Sequence, residues 1–600
     1  MGRSWGRSAG LLLAATLAAA AAAAVNGCSS GGGGAAPPGT PSGVANRAAA
    51  TTALDRAIED AWAAANVTPA EPIDDATYLR RVSLDLVGRV PTLDEVRAFD
   101  ADASADKRVA AVNRLLADPS HAKHLALVWD EILMGPLTKA NLIDRGAFMR
   151  WLELRFAEKA SWDAIVRELV TATGRSSAGG DRGPEAFTGG VERARAEQKE
   201  GVNAATNFVL RHVRTPGDLG GDVSKTFLGV QIQCAQCHDH KSEKWKQADF
   251  NGFAATFTHV APKPVEREGK RIPVFDLENA KAAPRRLMKD ASYASIAKSP
   301  PRALDGTTLE GEDPREALAA WITRPSNPWF AKAMVNRVWA QIFGSGFVDP
   351  PDDFRDSVPA LAPAVLEQLA KDFTDAKFDL DALYREILSC RAYATSVASG
   401  DRAARDALFS HNVLVGMSSD QLLDSIFAAT GLEDALSNVK RIDPETVKLA
   451  VRRKVRFVFD DDTESNGADF DGTVQQALFL MNGGLVAIGS SVVPDDALDH
   501  LFDAKASDED IVRELYLRTL SRAPRADELA SWKTFLSEER AFDERPPPDA
   551  PPVVKKATKQ PTREPLPAKR LASRAKTPRQ QAVEDMFWAL LNSSEFFFRR

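Results

Sequence analysis

At 600 residues the chain is long enough for two or three domains, and an apolar fraction of 44% is ordinary for globular protein. With 76 basic against 83 acidic residues it is mildly acidic, which gives no reason to expect nucleic-acid binding. Four cysteines are too few for a disulfide framework at this size, so the core must hold by packing.

Arg3 and Arg7 precede an uncharged apolar run from Leu11 to Val25, the pattern of a secretory signal over residues 1–27. The run closes on Val25-Asn26-Gly27-Cys28, which resembles a bacterial lipobox and implies cleavage before Cys28 and its lipidation. The plainer alternative is an ordinary signal peptide cut within the alanine run. Residues 28–50 are Gly, Ala, Pro and Ser, a flexible tether. The chain is therefore expected to be exported, at the periplasm or cell surface, and anchored to a membrane by lipid. No later segment approaches the ~20 apolar residues of a spanning helix.

Helical periodicity begins near Thr51. Leu54, Ile58 and Trp62 fall four apart, and Leu79, Val82 and Leu86 share a face that stops at Gly88. Thr92 and Glu95 fit a capping box, and Val109, Val112 and Leu116 line another helix. The Gly- and charge-rich residues 174–201 read as a loop. Val230 and Ile232 alternate with Gln231 and Gln233, a short-strand pattern, and a helix is expected again from Trp245. Residues 261–315, weakly patterned and Pro-punctuated, read as an irregular connection. Phe330, Met334 and Val338 mark a strong helix ended by Gly344. Helices follow around Leu383 and Leu422, and a last one carries Val583, Phe587 and Leu590. Residues 543–579 are rich in Pro and Lys and cannot form a core, so they read as a disordered insertion. It is a solvated linker or, in the sharper reading, a binder of anionic headgroups. The expected fold is mainly α: two helical domains with few short strands, residues 51–260 and 316–600, after the signal and tether.

One stretch concentrates the chemistry. Cys234-Ala235-Gln236-Cys237-His238 has the spacing of c-type haem attachment, in which both thiols bond haem vinyl groups and the adjacent imidazole ligates iron. His240 adds a second imidazole. Zinc or another metal is the next reading, but four donors within seven residues cannot readily surround one ion, so a remote donor is needed; Cys390, His212 and His259 are the candidates. A redox dithiol and a structural disulfide or buried thiol pair are the others. Should haem bind, a sixth ligand must come from elsewhere, with His212, His259, Met134 and Met149 available.

Lesser signals are an acidic turn, Asp460 to Thr473, and a histidine pair. The turn sets Asp462, Glu464, Asn466 and Gly467 on a calcium-loop template but puts Thr473 where a glutamate belongs. His121 and His124 lie three apart on a helix. No GxSxG, HExxH or P-loop pattern occurs, and no enzyme class is assigned.

Several blocks in order carry a resemblance. YLRRVSLDLVGRVPTLDEV and FLGVQIQCAQCHDHKSEKWKQADFNGFAATF resemble the planctomycete cytochrome-associated family PSCyt, and MVNRVWAQIFGSGFVDPPDDFRDS, LFLMNGG, LYLRTLSRAPRADELASW and ALLNSSEFFF resemble its usual partner, PSD. The chain has Lys241-Ser242 where that family usually has Pro-Phe. The resemblance implies two domains, an exported location and a CxxCH site at Cys234, Cys237 and His238; it supplies neither substrate nor catalytic residues. Two functions remain open. One is a c-type-cytochrome-like electron carrier with redox partners in the envelope. The other is a non-enzymatic envelope binding or assembly protein whose motif is structural or holds another metal.

Overall fold

A computed structural model describes residues 52–135, 142–179, 184–267, 270–397, 408–438, 443–459, 474–492, 496–538 and 577–599. The signal segment, the tether with Cys28, the acidic turn 460–473 and nearly all of the basic insertion lie outside the described residues.

Side-chain caps start the first helices where the sequence places them. Thr52 accepts the Asp55 N–H at 3.0 Å and opens the helix Ala53–Ala64, which buries Leu54, Ile58 and Trp62. Asp74 caps Asp75–Val87, which ends at Gly88 with φ +68, a left-handed stop that glycine tolerates. Thr92 and Glu95 form the expected reciprocal cap on Leu93–Ala101. The helix Lys107–Ala117 departs in one detail. Its buried stripe runs through Ala111, Val112, Leu115 and Leu116, and Val109, in the first turn, is 46% exposed.

The fold is mainly α, with five short strands in two sheets among the described residues. Three expectations are corrected. Residues 174–201 are not all loop: β1 (Gly174–Arg175) and a helix, Gly190–Lys199, lie within them. That helix buries only Ala194 and Glu197, and Glu197 is fixed by Arg150 at 2.7 Å, so hydrophobic periodicity cannot reveal it. Residues 230–232 form no strand. Val230 and Ile232 are fully buried, as their alternation suggests, but the segment has no partner strand. Residues 261–315 are ordered by β2 (Val260–Arg267) and β3 (Lys270–Asn279), antiparallel, with β1 on the other side of β3. Pro262 and Pro264 sit in β2, an edge strand, where a missing N–H is tolerated. The second sheet pairs β4 (Val415–Gly416) with β5 (Phe598–Arg599).

The cores do not divide where the two expected domains meet. One contiguous cluster runs from Leu54 through Trp129, Trp162, Phe227 and Phe253 to Trp339, Phe373 and Phe409. A second gathers Leu84 and Val90 with residues from Met417 to Phe596. The helices Phe330–Phe343, Pro363–Asp375 and Leu380–Ser389 therefore complete the first core. Asp75–Val87 serves both, giving Tyr78, Val82 and Leu86 to one and Leu84 to the other. Three of its charged side chains, Arg80, Arg81 and Asp85, are buried too. Arg80 donates to the carbonyls of Thr519 (2.7 Å) and Phe596 (2.6 Å), Arg81 to that of Thr395 (3.0 Å), and Asp85 pairs with Arg599 and accepts from Tyr393 (2.8 Å).

The last long helix, Pro578–Leu591, buries Val583, Phe587 and Leu590 in the second core. Thr577 caps it, so residues 577–579 of the Pro- and Lys-rich stretch already belong to this helical end. No helix among the described residues is long and apolar enough to cross a membrane.

Candidate functional site

The approach to the cysteine motif is set by backbone geometry. A π-helical turn, Ser224–Leu228, ends at Gly229 with φ +67, and the buried Ser224 hydroxyl donates to the Val230 carbonyl at 2.7 Å. Ile232 and Ala235, both fully buried, root the next turn, Gln233–Gln236, which is 3₁₀. Residues three apart eclipse one another in such a turn, so Cys234 and Cys237 emerge on one side. Both are free thiols and exposed.

The two imidazoles have opposite roles. His238 Nδ1 lies 2.8 Å from the Asp239 carbonyl oxygen. A carbonyl only accepts, so Nδ1 carries the proton and the Nε2 lone pair is left for a metal. His240 Nδ1 instead accepts the backbone N–H groups of Ser242 (3.2 Å) and Glu243 (3.0 Å), which puts its proton on Nε2. His238 is thus disposed to ligate and His240 to brace. The loop closes through His240 N–H to the Trp245 carbonyl (2.8 Å) and Gln247 N–H to the Asp239 carboxylate (2.9 Å).

A distant segment forms the other wall. Phe354 N–H donates to the Gly229 carbonyl at 2.7 Å, and Gln231 reaches Asp352 at 3.3 Å. Asp352 also meets Lys225 (3.5 Å) and Arg337 (3.6 Å). Lys244 pairs with Asp356 at 2.7 Å, and Ser357 donates to Glu243. The Trp245 ring centroid lies 6.3 Å from that of Trp329. Between the walls is a shallow polar cleft lined by Gln231, Cys234, His240, Glu243, Trp245, Asp353, Phe354 and Arg355. The hydrogen bond and charge of Asp353 hold the Arg355 guanidinium above the usual arginine value, and Glu243 and Cys234 act in the same direction.

Gly229 is where the walls touch. A Cβ there would stand 2.5 Å from Phe354 Cδ2, on a backbone that disfavours side chains. Gly229→Ala is expected to cost roughly 2–3 kcal/mol from the left-handed backbone and the overlap together. Chemical denaturation checks this; an unchanged midpoint contradicts the close approach.

The remaining candidates lie apart from the motif. Cys390 is buried in the first core, its thiol pushed up to about 12 by burial. Met134 and Met149 are buried as ordinary packing residues. His212 pairs with Asp222 at 3.0 Å. His121 binds the Leu86 carbonyl at 2.7 Å, and His124 beside it is pushed down to about 4, by burial first and by His121 second. His259 gives its carbonyl to Ala280 at the hairpin. Among the described residues no group of three or more His, Cys, Asp or Glu side chains is placed to hold a metal ion. Sequence reasoning missed the wall residues Asp352–Ser357 as part of this site, although their block stood among those carrying the resemblance.

Residues 53–261 match the PSCyt2 family model, a protein of unknown function (DUF1549), and residues 314–536 match PSD1, a protein of unknown function (DUF1553). No curated protein matches the chain, and no solved structure does.

Proposed function

We propose that this chain, which belongs to the PSCyt2 family over residues 53–261 and to the PSD1 family over residues 314–536, is an exported electron-transfer protein holding a c-type haem at its CxxCH motif. The observation that carries this reading is the donor set: two free, exposed thiols on one side of a turn, followed by an imidazole whose Nδ1 is engaged by a backbone carbonyl, leaving Nε2 for a metal. These residues fit the group. Cys234 and Cys237 would hold it through their thiols and His238 through its ring nitrogen. Bound there, haem supplies one-electron chemistry. Ile232 and Ala235 fix the turn to the core, and the Asp239 carbonyl orients the His238 ring. The polar cleft does not enclose a macrocycle, so the motif faces solvent and any redox partner. Lipidation of Cys28 would hold the protein at a membrane in the envelope.

A second reading is favoured by how fully the loop is braced by protein alone, through Phe354, Asp352, Asp356 and Ser357. It makes the chain a non-enzymatic envelope binding or assembly protein whose motif is structural or takes zinc or another metal. The test is the mature protein made in a host with haem-attachment machinery, run on a denaturing gel stained for haem and weighed intact. A stained band heavier by one haem, lost in Cys234→Ala/Cys237→Ala, is expected. An unstained band of apoprotein mass overturns the haem reading, and metal analysis of the same sample then decides whether the motif takes another ion.

A further inference from the structure

The turn that carries the two exposed thiols is rooted by groups other than the thiols. Ile232 and Ala235 are fully buried, and the Ala235 N–H donates to the Ile232 carbonyl at 2.9 Å. The Gln247 side-chain amide donates to the Gln236 carbonyl at 3.0 Å. Cys237 continues the turn in helical backbone, with φ −101 and ψ −28. In a 3₁₀ turn residues three apart lie one above the other, separated by about 6 Å of rise. A disulfide joins Cα atoms about 4.4–6.8 Å apart. Cys234 and Cys237 therefore stand at the spacing of an internal cross-link, which can close while Ala235 stays buried.

Access sets this pair apart from the third thiol. Cys234 and Cys237 are exposed, whereas Cys390 is 2% exposed and pushed up to about 12 by burial. The thiolate is the attacking species in disulfide exchange, so a buried thiol held protonated does not compete. The two exposed thiols also differ from each other. Cys234 lines the polar cleft with His240, Trp245 and Arg355, and Cys237 is not part of that lining.

We infer that Cys234 and Cys237 are a redox-active pair that exchanges with the disulfide of another thiol compound. The Cys237 thiolate, outside the cleft, attacks one sulfur of that disulfide; its S–S bond breaks, a mixed disulfide forms and one thiolate leaves. Cys234 then attacks the Cys237 sulfur from the cleft, closing the internal bond and releasing the second thiolate. Two electrons pass from the cysteines to the other disulfide, and their two protons end on the two thiols released. The reverse sequence reduces the pair. This goes beyond the haem reading and does not rest on it, because it concerns the thiols while nothing is bonded to them.

The experiment uses the mature chain with Cys28→Ser, which leaves three cysteines. Purified without haem, it is equilibrated with mixtures of reduced and oxidised glutathione, quenched in acid, alkylated in denaturant and weighed intact. Alkylated thiols are expected to fall from three to one per chain in a single step as oxidised glutathione rises, with no glutathione left on the protein. C234S should instead accumulate one glutathione at Cys237, faster than C237S gathers one at Cys234; equal rates overturn the order of attack. Three alkylated thiols throughout overturn the inference, as does a wild-type chain carrying glutathione on each cysteine. So does a bond that reduced glutathione opens only in denaturant, which marks an inert cross-link. Haem staining reads the other proposal separately: a stained chain that fails here loses only this inference, and an unstained chain that exchanges loses only the haem reading.

Discussion

Ending the chain at residue 313, between the two family regions, is expected to give an aggregating or molten product and no free-standing first domain. The helix Phe330–Phe343 alone supplies Phe330, Met334, Val335, Val338, Trp339, Ile342 and Phe343 to the first core, and Phe347, Leu369, Phe373, Leu383 and Ile387 add to them. Trp339 sits 4.2 Å from Phe343, 4.5 Å from Phe347 and 5.3 Å from Phe409, ring centre to ring centre. Each buried large side chain contributes about 1.5–3 kcal/mol. Losing a dozen costs on the order of 20 kcal/mol, beyond the roughly 5–15 kcal/mol that holds a typical native protein together. The fragment would also lose Phe354 and Asp352 from the cleft wall. Size-exclusion chromatography and thermal unfolding of residues 52–313 check this. A soluble monomer with a sharp cooperative transition would sink it.

Asp420→Ala is expected to destabilise the second core by about 2–3 kcal/mol, the cost of losing charge-assisted hydrogen bonds from a buried network that keeps Asp424 on Arg452. Asp420 lies 2.7 Å from Arg452 and also pairs with Arg456, while Arg452 reaches Asp424 at 2.8 Å and Lys448 meets Asp424 at 3.1 Å. The Arg452 side chain is only 6% exposed, so water cannot take over from the lost carboxylate. Burial alone would raise the Asp420 carboxyl, but the charges and hydrogen bonds of Arg452 and Arg456 outweigh it and hold it far below the ordinary range. A depressed folded value stabilises above the unfolded value, near 3.8, and that stability is lost as pH falls through it toward the folded value. The gap between wild type and Asp420→Ala should therefore be full at neutral pH and shrink below about pH 4. Glu386 works the other way. Burial first, then Asp372, pushes its carboxyl up to about 8, so its contribution is intact at acid pH and fades as pH rises between about 4.5 and about 8. Urea unfolding from pH 3 to 8 separates the two; a gap independent of pH would refute the ion-pair account.

Much of the helical framework is legible because burial and sequence speak the same language there. Leu54, Ile58 and Trp62, or Phe330, Met334 and Val338, repeat at the helical period and are buried at that period. The helix Gly190–Lys199 escapes because its anchor is the Glu197 carboxylate, which a reading for apolar stripes counts as surface. The hairpin escapes because Pro262 and Pro264 look like breakers until the strand is known to lie at an edge. Val230 and Ile232 show the opposite error, correct burial without any strand to pair with. At the site, the spacing of Cys234, Cys237 and His238 is plain in one dimension. The opposite tautomers of His238 and His240 are not, since backbone groups decide them. Nor is the wall at Asp352–Ser357, because nothing local in those residues says which loop they fold against. Family blocks mark where sequence motifs lie; the cores mark where side chains meet, and here the two boundaries differ.

The helix Asp75–Val87 sets a timetable. Arg80 finds its carbonyl acceptors 439 and 516 positions later, at Thr519 and Phe596, and Asp85 finds Arg599 514 positions later. A segment synthesised early must keep buried charges unanswered until some of the last-made residues arrive. Contacts so distant in sequence close late and slowly. The consequence is an order of completion: little of this part can lock early, and the fold closes only when its far end has been made.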